Sequence, residues 1–202
     1  MQRFSQVTAT ALWCTISRKG GRGAKMKRLL AIIVAVLCVS AAAHAQDGGP
    51  FAFVGAGDKL PEFRATLTNG ATIESSSLEG RVTLITLWAS WCPSCRKEFK
   101  RLAASQEFGA LLQNDRFCFL PISREEQSAT VVAWLKKMDY PFISAIDSDR
   151  SIYNLFASEE IPRNISVGPD GTILYHSSGG SKKELQRVIE LCQEQLAPQA
   201  QQ

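Results

Sequence analysis

The segment LWASWCPSCRKEFK, residues 87–100, contains two cysteines separated by two residues, Cys92 and Cys95. Thiols at this spacing could form a structural disulfide, contribute to a metal site or exchange electrons with other thiols. A structural disulfide is a poor explanation, because closing so short a loop removes little chain entropy. A zinc site usually takes about four ligands. The other candidate ligands are isolated in the sequence: Cys118, Cys192 and His176.

The residues around the pair favour redox chemistry. The β-branched run Arg81–Trp88 predicts a buried strand directly before it. Pro93 suits the first turn of a helix, which we expect to run to about Leu112. The unpaired N–H groups and the dipole at a helix N-terminus stabilise a thiolate, here that of Cys92. Cys95, one turn further into the helix, would be the shielded partner.

The rest of the pattern predicts an α/β domain with a mixed sheet. Asn69-Gly70 indicates a β-hairpin, and Ser123-x-x-Glu126 matches a capping box that would start the next helix. Ser181 is expected to cap a last helix. Further strands are predicted at residues 116–122, 141–147, 163–168 and 172–177, with a short helix at 150–158. The order places parallel crossovers first and an antiparallel hairpin near the end.

The N-terminal region predicts export. Residues 26–45 combine Lys27-Arg28, an apolar run and an Ala43-His44-Ala45 ending, as in a secretory signal peptide cleaved before Gln46. If the segment is retained, it would anchor the protein to the bacterial inner membrane; if it is cleaved, we expect a periplasmic protein. Residues 1–25 fit no signal pattern and are interpreted as an over-long gene start.

Removing the export segment changes the charge. The whole chain carries 23 basic and 19 acidic residues, but seven basic residues and no acid lie in positions 1–45, which leaves a net charge of −3. The composition therefore gives no indication of nucleic-acid binding. Residues 46–56 are expected to be a flexible leader and 197–202 a disordered tail. In an oxidising compartment a Cys118–Cys192 bridge is possible only if the Cα atoms come within about 7 Å.

Three separate segments resemble one family. These segments are WASWCPSC followed by RKE, the opening GDKLPEF, and EEIPRN with the later DGTIL. All three are similar to exported thioredoxin-like disulfide oxidoreductases of the TlpA and ResA type. The resemblance covers residues 57–196. It implies a thioredoxin-like fold, a central mixed sheet flanked by helices with an N-terminal hairpin extension, and thiol–disulfide exchange without a cofactor or metal.

The resemblance also assigns roles to individual residues. Cys92 matches the attacking cysteine and Cys95 the resolving cysteine, which together form a redox-active disulfide, and Glu98 matches an acid that assists proton transfer. Glu98 could equally be a solvated acid that pairs with Arg101 or Lys97. Pro162 matches a cis-proline beside Cys92. The other residues assigned to substrate binding are Trp91, Pro93, Ile161 and Gly179.

The sequence departs from the pattern at three positions. Thr86 stands where thioredoxins have a buried aspartate, Lys100 where relatives often have proline, and Pro93-Ser94 is neither the thioredoxin dipeptide nor that of the strong oxidants. Redox direction therefore stays open between a reductase and an oxidase or isomerase. A non-catalytic module that binds a metal or a partner is a further alternative. As a reductase, a monomer is expected to act on client proteins and to be recharged by a membrane-bound redox partner.

Overall fold

The computed structural model describes residues 48–197. Three regions named above lie outside the described residues: the over-long gene start at residues 1–25, the signal segment at 26–45 and the tail beyond residue 197. Within residues 48–197, every helix is too short or too polar to cross a bilayer.

Seven strands form a mixed sheet at the centre of the domain: β1 (Arg64–Leu67), β2 (Thr72–Glu74), β3 (Val82–Trp88), β4 (Phe117–Arg124), β5 (Ala145–Asp147), β6 (Arg163–Val167) and β7 (Ile173–His176). Their order in the sheet is β2-β1-β5-β4-β3-β6-β7. Strand β3 is parallel to β4, and β4 to β5, whereas the other neighbours are antiparallel. The predicted Asn69-Gly70 hairpin is present and consists of β1 and β2. It joins the sheet through β1, which pairs with β5. This confirms the expected thioredoxin-like architecture.

Helices cover both faces of the sheet and bury two apolar clusters. The larger cluster packs four helices on one face, and the second lies under the short helix and the hairpin on the other. Cys192 belongs to the first cluster and Cys118 packs against the second, so the two free thiols lie on opposite faces and are not bridged. The helices are α1 (Pro93–Ala104), α2 (Gln106–Leu112), α3 (Ser128–Lys137), α4 (Tyr153–Phe156) and α5 (Lys182–Leu196), with a 3-10 turn at Ser75–Leu78.

The helix predicted from Pro93 to Leu112 is divided in two. Ser105 has an extended backbone, and its Oγ accepts a 3.1 Å hydrogen bond from the N–H of Phe108, which starts α2. The apolar periodicity hides this break, because Leu102 and Phe108 are buried in the same cluster. The prediction of one continuous helix was therefore wrong at Ser105, where α1 has ended and α2 is capped.

The capping-box prediction at Ser123-x-x-Glu126 was also wrong. Ser123 belongs to β4, where it pairs with Trp88, and α3 begins only at Ser128. The Ser123 hydroxyl does reach Glu126, at 2.8 Å. The Glu126 carboxylate, however, accepts its other hydrogen bonds from the loop that precedes Cys92.

The described part of the expected flexible leader, residues 48–56, is attached to the domain. The backbone N–H of Phe53 donates to the carbonyl of Phe156, and Ser158 donates to the carbonyl of Phe51, at 2.8 and 2.9 Å. The buried Arg163 side chain also donates to the Gly48 carbonyl at 2.7 Å. These bonds hold the leader against the loop that precedes Pro162.

Candidate active site

The cysteine pair lies where the buried strand β3 passes into α1. Every residue of β3 is buried, so the strand fixes the position of the loop that follows it. Cys92 is the N-cap of α1, with Pro93 in the first turn as predicted, and Cys92 Sγ accepts a 3.2 Å hydrogen bond from the N–H of Cys95. A disulfide joins the two cysteines, whose Cα atoms are 5.3 Å apart.

The two sulfurs differ in access. Cys92 retains 4% of its surface, whereas Cys95 is fully buried. An incoming thiolate must follow the line of the S–S bond, so Cys92 is the sulfur that an external thiol can attack. This asymmetry matches the attacking and shielded positions that the sequence predicts for the pair.

The segment around Pro162 lies directly beside Cys92. The Ile161–Pro162 peptide bond is cis, which confirms the prediction made from the resemblance. The carbonyl oxygen of Ile161 is 3.7 Å from Cys92 Sγ and accepts a 3.4 Å hydrogen bond from Ser94 Oγ. Ser94 Oγ is also 3.1 Å from Cys92 Sγ, so one hydroxyl contacts both the sulfur and the neighbouring backbone acceptor.

Two glycines close the site from the loop before α5. Gly179 has a φ of +93°, and its N–H donates a 3.1 Å hydrogen bond to the carbonyl of Pro162. Sequence reasoning selected Gly179, but Gly180 makes the closer approach. A Cβ atom at Gly180 would lie 2.8 Å from Pro162 and 3.2 Å from Glu98 Oε2.

Glu98 is buried, not solvated. It lies one turn after Cys95 on the buried side of α1, with no exposed surface. Its Oε1 accepts a 2.9 Å hydrogen bond from the side-chain amide of Asn164, and its Oε2 has no hydrogen-bond partner. Burial raises the pKa of Glu98 to about 7, although the Asn164 hydrogen bond and the charge of Arg101 oppose the rise. Such a group can hold or release a proton near neutral pH.

Asn164 is a site residue that the sequence reasoning missed. Its Oδ1 accepts a 2.7 Å hydrogen bond from Thr86 Oγ1, so a buried chain runs from Thr86 through Asn164 to Glu98. Thr86 is the position where thioredoxins have an aspartate. The available signal was the position of Asn164, two residues after Pro162 in a strand.

Trp91 is the exposed aromatic residue of the site, with 53% of its surface accessible. The guanidinium of Arg124 lies 5.8 Å from the centre of the Trp91 ring and 4.5 Å from that of Tyr153. The Tyr153 hydroxyl donates a 2.6 Å hydrogen bond to the carbonyl of Glu160, in the loop before Pro162. Arg124 and Tyr153 thus connect the exposed tryptophan to that loop.

The other described cysteines are poorly suited to redox exchange. Burial raises the pKa of the Cys192 thiol to about 12, and burial also raises the pKa of Cys118. A thiol must ionise to act as a nucleophile, so both are weak candidates. Among residues 48–197, groups of three or more His, Cys, Asp or Glu residues that could hold a metal ion are absent.

The fold and the Cys-X-X-C pair at the N-terminus of α1 define a thioredoxin-like redox protein. More particularly, the chain belongs to the Redoxin family, whose model matches residues 55–190.

Known relatives and solved structures carry names of the same class. The thiol-disulfide oxidoreductase ResA of Bacillus subtilis is 25% identical over 118 residues, which are 58% of this chain and 64% of ResA. The thiol:disulfide interchange protein DsbE of Pseudomonas aeruginosa is 26% identical over 131 residues, 64% of this chain and 66% of DsbE. The chain thus spans slightly less than two thirds of either relative.

A solved structure extends the comparison to three dimensions. The solution structure of a candidate protein disulfide isomerase from Bacteroides thetaiotaomicron superposes with a TM-score of 0.66 at 26% identity. It covers 72% of this chain and 92% of that chain. The similarity includes most of the described domain.

Proposed function

We propose that this protein is an exported thiol–disulfide oxidoreductase that reduces disulfides of client proteins through Cys92 and Cys95. The observation that supports this most strongly is the difference between the two sulfurs. Cys92 keeps a small exposed surface, 4%, at a helix N-terminus beside the cis-Pro162 segment, whereas Cys95 next to it is fully buried. The names of the relatives, thiol-disulfide oxidoreductase and thiol:disulfide interchange protein, agree with this reaction.

The reaction starts from the reduced pair. The Cys92 thiolate attacks one sulfur of a client disulfide, which forms a mixed disulfide and releases the other client sulfur as a thiolate. The Cys95 thiolate then attacks Cys92 Sγ and releases the second client sulfur. The client gains two electrons and two protons, and the protein is left with the Cys92–Cys95 disulfide. A membrane-bound thiol reductase would return the two electrons.

Glu98 supplies the proton acceptor for the second step. Cys95 is buried, so its thiol must lose a proton without direct help from solvent. The Glu98 carboxylate, with a pKa of about 7 and one oxygen without a hydrogen-bond partner, is suited to take that proton. Ionised Glu98 is the form that does so.

The Pro162 segment and Trp91 form the client-binding side. The Ile161 carbonyl next to Cys92 can accept a hydrogen bond from an extended client backbone, once Ser94 releases it. Trp91, with the arginine behind it, offers an exposed ring beside the attacked sulfur. Pro93 and Gly179 shape the two edges of this surface.

Trapping a mixed disulfide tests the reaction. Cys95→Ser keeps the attacking thiol but removes the resolving one, so we expect a covalent complex with a disulfide-containing protein substrate that dithiothreitol releases. Cys92→Ser is the matched control and should form none. Equal trapping by both variants, or by neither, would refute the assigned order of attack.

Export is supported by the composition of residues 26–45. We propose that cleavage after Ala45 gives a protein that starts at Gln46 in the periplasm. The intact mass of the exported protein measures this. A mass that includes residues 26–45 would instead indicate an anchored form.

A further inference from the structure

We propose that Glu126 is a positioning residue for the redox pair, and that it acts by holding the loop of residues 89–92 through Ser90. This inference rests on the proposed thiol–disulfide exchange and adds a residue that the sequence assigned to a helix cap. The carboxylate makes the pair more reducing, because it stabilises the loop geometry in which the two sulfurs are bonded.

Glu126 contacts the middle of the cysteine loop with both of its oxygens. Oε2 accepts a 2.7 Å hydrogen bond from the backbone N–H of Ser90, and Oε1 accepts one from the Ser90 hydroxyl. Ser90 stands two residues before Cys92, and the N–H of Cys92 donates to the carbonyl of Ala89 at 3.2 Å. The carboxylate therefore holds the turn whose last residue is the attacking cysteine.

The carboxylate is itself fixed in position. Glu126 retains only 7% of its surface, and its Oε2 accepts a further 2.8 Å hydrogen bond from Ser123 Oγ. Ser123 pairs with Trp88 in the parallel β3–β4 ladder, so the support comes from the central sheet. Hydrogen bonds to a charged acceptor are stronger than neutral ones, and a buried side chain has few alternative positions.

Two physical effects act in the same direction on the reduction equilibrium. A loop held in the bonded geometry raises the effective concentration of one thiol at the other, which favours the disulfide. A negative charge near Cys92 also disfavours the thiolate, which belongs to the reduced form. Loss of the carboxylate should therefore shift the equilibrium toward the reduced dithiol.

The test is the equilibrium of the purified protein with glutathione. We expect Glu126→Gln to shift it toward the dithiol about tenfold, which corresponds to about 30 mV for two electrons. Glu125→Gln is the matched control, since it removes the neighbouring carboxylate, which lies 3.1 Å from Arg124 and makes no contact with Ser90 in the structure. A shift below about twofold for Glu126→Gln, or an equal shift for Glu125→Gln, overturns the proposal.

Ser90 variants keep the proposal testable if Glu126→Gln does not fold. Ser90→Ala removes only the hydroxyl contact and should shift the equilibrium in the same direction, whereas Ser90→Thr should restore it. When the variants fold, the shift of the Ser90→Ala/Glu126→Gln double variant should be smaller than the sum of the two single shifts, because both substitutions act on the same contact. An unchanged equilibrium in Ser90→Ala, or full additivity, counts against the proposal.

The same measurement separates a failure of the Glu126 proposal from a failure of the proposed function. If the wild-type pair does not equilibrate with glutathione at all, thiol–disulfide exchange itself is refuted. If the wild type equilibrates and the variants match it, only the role of Glu126 is refuted.

Discussion

The side-chain amide of Asn164 donates a 2.9 Å hydrogen bond to Glu98 and thereby joins the strand after cis-Pro162 to the helix that Cys92 caps. Both residues are fully buried. The bond connects the proposed client-binding side of the site to the group that we assign to proton transfer. The pH behaviour of exchange should therefore respond to changes at either residue.

Glu98→Gln should slow resolution of the mixed disulfide and remove its pH dependence near neutrality. The variant cannot accept the Cys95 proton, whereas Cys92 attack should be little changed. Rapid-mixing measurements of the two steps across pH 5–9 test this. Glu79→Gln, an exposed acid, is the control and should leave both steps unchanged. Equal resolution rates for Glu98→Gln and wild type would leave Glu98 without a role in exchange.

The same substitution should stabilise the fold at high pH. The folded-state pKa of Glu98, about 7, exceeds its ordinary value of 4.5, so the folded protein holds an extra proton between these pH values. Stability therefore falls as pH rises from about 4.5 to 7. At pH 8 the free energy of unfolding of Glu98→Gln should exceed that of wild type by about 3 kcal/mol, at about 1.4 kcal/mol per pKa unit. The difference should narrow toward pH 4.5 in denaturant titrations.

Asn164→Ala should move resolution to higher pH. The Asn164 hydrogen bond lowers the pKa of Glu98, so its loss raises that pKa further and reduces the ionised fraction at pH 7. The fold should also lose about 1 to 3 kcal/mol, because Thr86 and Glu98 lose a buried partner. Asn154→Ala, on the exposed face of α4, is the control. A pH profile identical to that of wild type would contradict the proposed connection.

The buried His176 should destabilise the fold at low pH. Its Nδ1 is 2.7 Å from the Val54 carbonyl and its Nε2 is 3.4 Å from Arg163. Burial, together with the Arg163 charge, lowers the pKa of His176 to about 4. Below pH 6.5 this histidine binds a proton in the unfolded chain, whereas in the folded chain it stays neutral until about pH 4. The free energy of unfolding therefore falls as pH drops toward 4, by about 3 kcal/mol at most.

As pH falls through much of this range, protonation of Glu98 raises the free energy of unfolding. The contribution of His176 should therefore be measured in the Glu98→Gln background. There the free energy of unfolding should decline between pH 6.5 and 4, and His176→Gln should reduce that decline. If both proteins show the same slope, the protonation of His176 does not contribute.

Local signals predicted most of the fold. The apolar run of β3, the Asn69-Gly70 turn and the Ser181 cap each depend on neighbours in sequence, and all three are present in the structure. The cysteine pair at the helix N-terminus is predictable for the same reason. The resemblance added the cis-Pro162 bond, which the sequence pattern by itself does not specify.

Contacts between distant residues account for what the sequence did not reveal. Glu126 fits a capping-box spacing, but it accepts two hydrogen bonds from Ser90, 36 residues away. Asn164 reaches Glu98 across 66 residues, and Arg163 reaches Gly48 across 115. Spacing along the chain carries no information on such pairs. Ser105 differs, since its break was masked by the apolar pattern that continues on both sides.

The reduction potential of the Cys92/Cys95 pair tests the central claim most directly. Ser94 gives Cys92 one hydroxyl at 3.1 Å where the strong oxidants have a histidine, and Arg96 and Lys97 lie beyond Cys95 on the helix. We therefore expect only modest stabilisation of the Cys92 thiolate in the reduced protein. Equilibration in glutathione or dithiothreitol buffers should give a value near that of thioredoxin, about −270 mV. A value near that of DsbA, about −120 mV, with a strongly acidic Cys92, would contradict the reductase assignment.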